Sequence, residues 1–336
     1  MKIYYCKNTS PYTTLVLEEM LLKDENVNED ILYFYQHDNA IIIGRNQNIY
    51  EEVKVDVVEK ENIEVYRRLS GGGAVYHDLG NINFSFITKK SGHSYEKFLT
   101  PIIEFFQSLG LEAEFKGRND VLVNGAKVSG NAQAVYKSKM VHHGTILFDA
   151  NLAKLSEVLI PSKLKIESKG IKSIRQRVTN ILDELNFELS HDEFIKRLID
   201  FFENKYENKA ILVETILESP EKKEIFDKLS NFRKSKEWVF GHNPMFKYEN
   251  KVKTSGGIVQ VKANIEQNTI KSIKFEGDFL SQGDAQEISS LLVGKPFERP
   301  EIEKIFNSIE NFEEYFGSIP QSELLDVIFG VVSNNV

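Results

Sequence analysis

Three consecutive glycines, Gly71-Gly72-Gly73, stand in the stretch Arg67-Arg68-Leu69-Ser70-Gly71-Gly72-Gly73-Ala74-Val75-Tyr76-His77-Asp78. Glycine loses more backbone freedom on folding than any other residue, so such a run weakens any strand or helix that contains it. Something must require it. The usual reasons are positive φ or a backbone that packs closely against another group. Glycine N–H groups with no side chain in the way also cradle anions, and two arginines just before them can clamp a phosphate. The alternative is a flexible surface loop. The apolar Ala74-Val75 that follows at once points the segment into a core instead. No G-x-x-x-x-G-K-[ST] or G-x-G-x-x-G occurs in the chain, so a nucleotide here would be held by another geometry.

Lys127 is the second candidate. It follows the Asn124-Gly125 pair in Asn119-Asp120-Val121-Leu122-Val123-Asn124-Gly125-Ala126-Lys127-Val128-Ser129-Gly130. A lone lysine on a hairpin is usually a solvated edge charge. Small neighbours (Ala126, Ser129, Gly130) would let a ligand lie against the backbone, where an ammonium can hold a phosphate and a polarised carbonyl oxygen together. His142-His143-Gly144-Thr145 is the third. Neighbouring residues on an extended chain face opposite sides, which makes two adjacent histidines a poor pair for one metal. One is expected to line a pocket and the other to face solvent, unless both are structural. No Ser-His-Asp order and no glycosidase-like carboxylate pair stands out.

The chain has 336 residues, enough for two domains. Its net charge of −8 removes the usual electrostatic footprint of nucleic-acid binding. One basic strip runs against this trend: Lys163, Lys165, Lys169, Lys172, Arg175 and Arg177, with Glu167 the single acid among them. It is either a solvated strip or a surface for phosphates or an acidic partner. The longest apolar runs, such as Ala40–Ile43 and Val327–Val332, fall far short of the ~20 residues of a membrane span. The N-terminus does not read as a signal peptide. Cys6 is the only cysteine, so neither an internal disulfide nor a cysteine-based zinc site is possible. A reducing cytoplasm fits this composition.

The patterning is mixed α and β, without repeats. Leu15–Leu22 reads as a buried helix. Ile31–Tyr35 and Ala40–Ile43 read as strands joined by the turn Gln36–Asn39. Ile82, Phe84 and Phe86 alternate with polar residues, the period of a half-buried strand. Phe98–Leu109 is helical and ends at Gly110, with Pro101 either starting or kinking it. Val121–Val123 and Ala126–Ser129 flank Asn124-Gly125, the strongest short hairpin signal. Ser190 with Glu193 is a capping box, and Leu189 is placed as a staple for a helix running to about Tyr206. Past residue 245 a hairpin (Ile258–Ile265, Thr269–Phe275) is followed by two or three short helices, one capped by Asp284 and ended by Gly294, another opened by Pro300. This suggests a small α+β tail domain. The polar Glu249–Gly256 is the expected junction, giving domains 1–248 and 249–336.

Taken together, Arg68 to Asp78 with Gly80-Asn81, the stretch Asn119-Asp120 to Lys127 with Ser129-Gly130, and His143-Gly144 resemble the lipoate–protein ligase family. Ser168 to Ser173 with Arg177, Val178 and Asn180, and Trp238-Val239-Phe240-Gly241 with Pro244 and Phe246, fit the same likeness. It implies a catalytic fold shared with biotin–protein ligases and distantly related to class II aminoacyl-tRNA synthetases, with a small C-terminal domain that moves relative to it. It also implies the site: Arg68, Ser70, Gly71, Gly72, Gly73, Ala74, Val75, Tyr76, Asn119 and His143 around nucleotide and lipoate, Lys127 on the lipoyl carbonyl and the phosphate, and Asp120 beside Mg²⁺. Val75 and Leu122 would wall the lipoyl tail. The implied chemistry is ATP-dependent formation of lipoyl-AMP, then transfer to a lysine of apo lipoyl-domain carrier proteins; neither step needs a protein nucleophile. The rival is an ATP-independent octanoyl- or lipoyltransferase of the same fold, which would pass the acyl group through a cysteine thioester. A biotin–protein ligase and a non-catalytic carrier-binding protein on the same fold fit the motifs less well.

Overall fold

Ser10 and Pro11 set the start of the first helix, Pro11–Lys23. The Ser10 hydroxyl accepts from the Tyr12 N–H at 3.3 Å, and Pro11 stands in the first turn, where its missing donor is not needed. Every residue from Thr14 to Leu22 is buried, so the expected interior helix is present and it carries two carboxylates, Glu18 and Glu19, inside. These features come from a computed structural model, which describes residues 1–90, 94–160, 178–241 and 248–330.

The strands are β1 (Lys2–Tyr5), β2 (Ile31–Gln36), β3 (Ala40–Ile43), β4 (Glu64–Arg67), β5 (Val75–His77), β6 (Asn81–Lys89), β7 (Ala113–Lys116), β8 (Asp120–Val123), β9 (Ala126–Tyr136), β10 (Lys139–Leu147), β11 (Ala210–Leu212), β12 (Tyr248–Thr254), β13 (Gly257–Glu266) and β14 (Thr269–Gly277). Eight of them form one mixed sheet in the order β11-β1-β2-β6-β10-β9-β8-β7. A small sheet, β4-β3-β5, stands apart and carries the glycine run between β4 and β5. The turn Gln36–Asn39 therefore moves the chain from one sheet to another and does not close a hairpin. Asn124 and Gly125 have φ of 50° and 81° and join β8 to β9 as expected.

The large sheet is covered on both faces. On one side Ile82, Phe84 and Phe86 pack with the helices Glu96–Ser108 and His191–Tyr206. On the other side lies the helix Pro11–Lys23. The expectation of a half-buried β6 is therefore corrected: Asn81 to Thr88 are all buried, because β6 lies mid-sheet between β2 and β10. Among its polar residues Ser85 donates to the carboxylate of Glu18, and Asn83 donates to the Tyr35 carbonyl at 3.4 Å. Pro101 lies inside the helix Glu96–Ser108. Ser190 caps His191–Tyr206 by accepting from the Glu193 N–H at 3.3 Å. The Glu193 side chain turns to Arg197, so only half of the capping box forms.

A separate core is built on β12-β13-β14 with the helices Ala285–Leu292, Arg299–Asn307, Glu313–Phe316 and Gln321–Phe329. Gln267 and Asn268 take positive φ in its β13–β14 turn. The polar segment Glu249–Gly256, expected as a junction, is instead strand β12 and the turn after it, paired along its length with β13. The basic strip at 163–177 lies outside the described residues.

Candidate active site

The glycine loop is shaped by the two arginines before it. Arg68 is buried, and its guanidinium donates to the carbonyls of Gly71 (2.7 Å), Gly73 (2.8 Å) and Ile42 (3.1 Å) and to the Ser70 hydroxyl (3.1 Å). Burial pushes its pKa down to about 10. Arg67 donates to the carbonyls of Gly44, Arg45, Gln47, Trp238 and Val239. The expected phosphate clamp is therefore corrected for this conformation. Both arginines are shut in with carbonyl oxygens as their partners, and they hold the loop that would hold a ligand. The loop also requires its glycines: Gly72 has φ +91°, and a Cβ on Gly44 would stand 2.0 Å from the Gly72 oxygen.

Ser70 sits under this loop, fully buried, with its hydroxyl oxygen 2.6 Å from His143 Nε2. The Nδ1 of His143 is 3.1 Å from a carboxylate oxygen of Glu18, which also accepts from Tyr35 at 3.2 Å and from Ser85. A carboxylate can only accept, so Nδ1 carries the proton and Nε2 takes the hydroxyl hydrogen of Ser70. His142, expected to face solvent if its neighbour lined a pocket, is instead buried on the other face. There it stacks on Phe98 and bonds to Gln133. The pair splits across the strand as its period requires, but β10 is covered on both sides. His37 and His77 form a second buried pair, 2.9 Å apart through their Nδ1 atoms, with Thr14 on His37. Burial, with Arg68 and His143 nearby, lowers His77 to about 3.

Lys127 is the second residue of β9 and forms an ion pair with Asp120 across the hairpin at 2.7 Å, both side chains about one-third exposed. A Cβ at Gly130 would stand 3.1 Å from its ammonium, so the small residue keeps the space open beside it. Asn119 braces this corner: its amide donates to the Asn131 carbonyl at 2.6 Å and its own carbonyl accepts from Asn131. Ala74, Val75 and Tyr76 are partly buried, and the Tyr76 hydroxyl reaches Asn39.

The loop amides have partners of their own. Gly71 N–H donates to the Ser281 carbonyl at 3.0 Å and Gly72 N–H to the Phe279 carbonyl at 2.9 Å. Segment 277–284, between β14 and the next helix, is further fixed by Gly277 N–H to Asn46, Val135 N–H to Gln282 and an Arg45–Asp284 ion pair. The C-terminal core thus covers the glycine loop, with two carbonyl oxygens where an anionic or carbonyl ligand would bind.

Residues 10–203 match the lipoyl protein ligase A/B catalytic domain, and residues 243–328 match the bacterial lipoate protein ligase C-terminus. The chain is 40% identical over 323 residues to the lipoate-protein ligase LplJ of Bacillus subtilis (strain 168), covering 95% of this chain and 97% of that protein. The chain belongs to the lipoate–protein ligase family. It is a ligase. Its fold matches that of P. falciparum LipL1 in complex with lipoate, with a TM-score of 0.78 at 24% identity over 97% of each chain. A lipoate-protein ligase A bound with ATP matches with a TM-score of 0.57 at 26% identity, over 72% of this chain and 99% of that one.

The residues expected to serve this ligase fall into two groups. Arg68, Ser70, Gly71, Gly72 and His143 converge under the segment 277–284, whereas Asn119, Asp120 and Lys127 gather at the β8–β9 hairpin. Sequence reasoning missed Glu18 and the residues 279–281. Glu18 carries a weak signal, one of two adjacent carboxylates inside an apolar run; Phe279 and Ser281 meet the loop through backbone oxygens and carry none. Of the other stretches that fit the family, Ser168 to Ser173, Arg177, Pro244 and Phe246 lie outside the described residues. No described helix is long and apolar enough to cross a membrane.

Proposed function

We propose that this ligase activates free lipoate with ATP and attaches the lipoyl group to a lysine of apo lipoyl-domain carrier proteins. The observation that carries this reading is the near-full-length likeness to a lipoate-protein ligase, with Lys127 and the glycine loop standing intact within it. In the first step a lipoate carboxylate oxygen attacks the α-phosphorus of ATP and pyrophosphate leaves. In the second the carrier amine attacks the acyl carbonyl and AMP leaves. Lys127 would sit on the carbonyl oxygen and the α-phosphate, where an ammonium offsets charge that grows in both transition states. The amides of Gly71 and Gly72 would take phosphate or carbonyl oxygens once segment 277–284 lifts, with Arg68 keeping them aimed. Val75 and Leu122 remain our candidates for the wall along the lipoyl tail, at about 0.8 kcal/mol for each CH₂ buried.

Mg²⁺ fits Asp120 only in company. The described residues hold no cluster of three or more His, Cys, Asp or Glu suited to a metal. One carboxylate with a nucleotide's phosphates is an ordinary magnesium arrangement. Bound there, the ion would supply charge screening for the triphosphate.

The rival transferase would need a reactive thiol. The Cys6 thiol donates to Glu214 at 3.2 Å, and burial with that carboxylate pushes its pKa up to about 12. A thiol held protonated is a poor acyl carrier, which favours the ATP-dependent route. We place the enzyme in the cytoplasm, where ATP and a reduced Cys6 are expected. We keep the two-domain division, catalytic 1–248 and accessory 249–336, as part of this reading. Its support is the separate core of the C-terminal strands and helices, whose first strand, β12, begins at Tyr248. The test is intact mass after incubating the protein with ATP, Mg²⁺ and lipoate, then with a panel of apo carriers. One lipoyl group gained only with ATP supports the ligase and names its carrier. Equal transfer without ATP, from an acyl donor, would favour the rival.

A further inference from the structure

Glu18, Ser70 and His143 come from three distant parts of the chain and form a continuous line: Ser70 Oγ to His143 Nε2 at 2.6 Å, and His143 Nδ1 to Glu18 at 3.1 Å. A nucleophile, a base and a carboxylate that orients the base, each within hydrogen-bond reach of the next, is the arrangement that activates a hydroxyl in acyl transfer. Two further observations give it a reacting site. The Arg68 Nε–H donates to the Ser70 oxygen at 3.1 Å, which favours charge on that oxygen. The amides of Gly71 and Gly72, directly after the serine, each already hold a carbonyl oxygen, from Ser281 at 3.0 Å and Phe279 at 2.9 Å. The residue following a nucleophilic serine commonly supplies such an oxyanion donor. Neither adenylation nor transfer to a carrier uses a protein nucleophile, so this array lies outside the proposed ligase chemistry.

We propose that Ser70 is a latent acyl acceptor, through which this ligase hydrolyses activated acyl groups. Once segment 277–284 lifts, the two amides exchange its carbonyl oxygens for that of an acyl-adenylate or an activated ester. Ser70 Oγ bonds to the acyl carbon while its proton passes to His143 Nε2, and the imidazolium is held by the positioning residue Glu18. The carbon–oxygen bond to AMP, or to the alcohol of the ester, breaks, and the imidazolium gives its proton to the departing oxygen, which leaves His143 neutral. Water then attacks the seryl ester, giving a proton to His143, and the Ser70 oxygen leaves and takes a proton back. The net change is one water and one activated acyl group consumed, and one free carboxylic acid and one AMP or alcohol formed. In the absence of a carrier, an acyl-adenylate would be discarded this way.

The test uses the full-length protein with p-nitrophenyl octanoate and neither ATP nor carrier, so its failure leaves the ligase reading standing, and the reverse. The expected result is a burst of p-nitrophenol equal to the enzyme present, with an octanoyl adduct mapped to the Ser70 peptide after acid quench. Ser70→Ala abolishes the adduct. His143→Asn slows acylation by roughly a hundredfold, the scale of a lost general base. Glu18→Gln lowers the pH midpoint of acylation, because the imidazolium loses its carboxylate; a merely structural role would leave that midpoint in place. The experiment is repeated with Asp284→Ala, which loosens the covering segment. Absence of an adduct at Ser70 in both the natural chain and Asp284→Ala overturns the proposal, and neither measurement depends on a Ser70 variant folding. Adducts elsewhere, with hydrolysis unchanged in Ser70→Ala, overturn it equally.

Discussion

Lys127 and Asp120 neutralise each other across the β8–β9 hairpin at 2.7 Å, at a third of full exposure. A pair this open is worth about 1 kcal/mol or less, so a ligand's phosphate can draw the ammonium away at little cost. Lys127→Ala should therefore leave the fold intact and lower kcat by a hundredfold or more, about 3 kcal/mol of transition-state stabilisation. Turnover near that of the natural protein, measured as pyrophosphate release, would remove Lys127 from the mechanism. The buried histidines make a second residue-scale prediction. His77 is held at about 3, by burial first and then by Arg68 and His143; His37 and His142 are also well below their usual value. The folded state keeps them neutral, while the unfolded chain binds protons near pH 6.5. Their contribution to stability is thus complete above pH 6.5 and is lost as pH falls below it, for His77 over the range down to about 3. Urea midpoints at pH 7 and pH 5 check this, and equal midpoints would contradict neutral burial. The place of Lys127 on the β8–β9 hairpin was legible because the signals around it are local. Arg68 was half legible. The sequence displays a charge beside three glycines, but only burial dictates that a guanidinium turns to the backbone carbonyls around it. The proximity of Glu18 to His143 was not legible, since their separation along the chain closes only in the fold.

Elements were read well where a few neighbouring residues decide them. Asn124-Gly125 and Gly110 supply the positive φ their turns require, at φ of 50°, 81° and 83°. Partnership between elements is not local, and there the reading failed. β2 and β3 follow each other, yet join different sheets, because no periodicity states which edge a strand will meet. β12 resembled a linker because an edge strand alternates charged, exposed residues (Glu249, Lys251, Lys253) with modestly apolar ones. Such charges are how edges avoid pairing with other chains. Close crossings make the sharpest element-scale test. Gly144, in mid-β10, would place a Cβ 2.0 Å from Asn131 Oδ1 and 2.5 Å from Phe84. Gly144→Ala should cost about 2–3 kcal/mol from overpacking a central strand, seen as a lower denaturation midpoint. Gly110→Ala meets no neighbour within 4 Å and should lose only the smaller cost of positive φ, roughly 1 kcal/mol. Equal losses for the two would mean that β10 can shift to make room.

At the scale of the molecule, the C-terminal core occupies the Gly71 and Gly72 amides that the proposed reading assigns to a ligand. Segment 277–284 meets residues 45–135 through four backbone hydrogen bonds, at about 0.5–1.5 kcal/mol each, the side-chain bonds Asn46–Ser281 and Gln282–Gln133, and a partly exposed Arg45–Asp284 pair. A sum of a few kcal/mol lies within what ligand binding can overturn, provided the ligand binds the open form better. A reversible lock tests whether opening is required. Asn46 Nδ2 donates to Ser281 Oγ at 2.8 Å, so these side chains meet across the contact. In an Asn46→Cys, Ser281→Cys double variant, oxidation should tie the segment over Gly71 and Gly72, abolish formation of lipoyl-AMP and weaken ATP binding; dithiothreitol should restore both. Cys6, a protonated thiol bonded to Glu214, should stay outside the exchange. Full adenylation by the oxidised form, with the cross-link verified by peptide mass, would show that ATP reaches Lys127 without displacing this segment. The glycine amides would then serve the acyl carbonyl instead of the triphosphate.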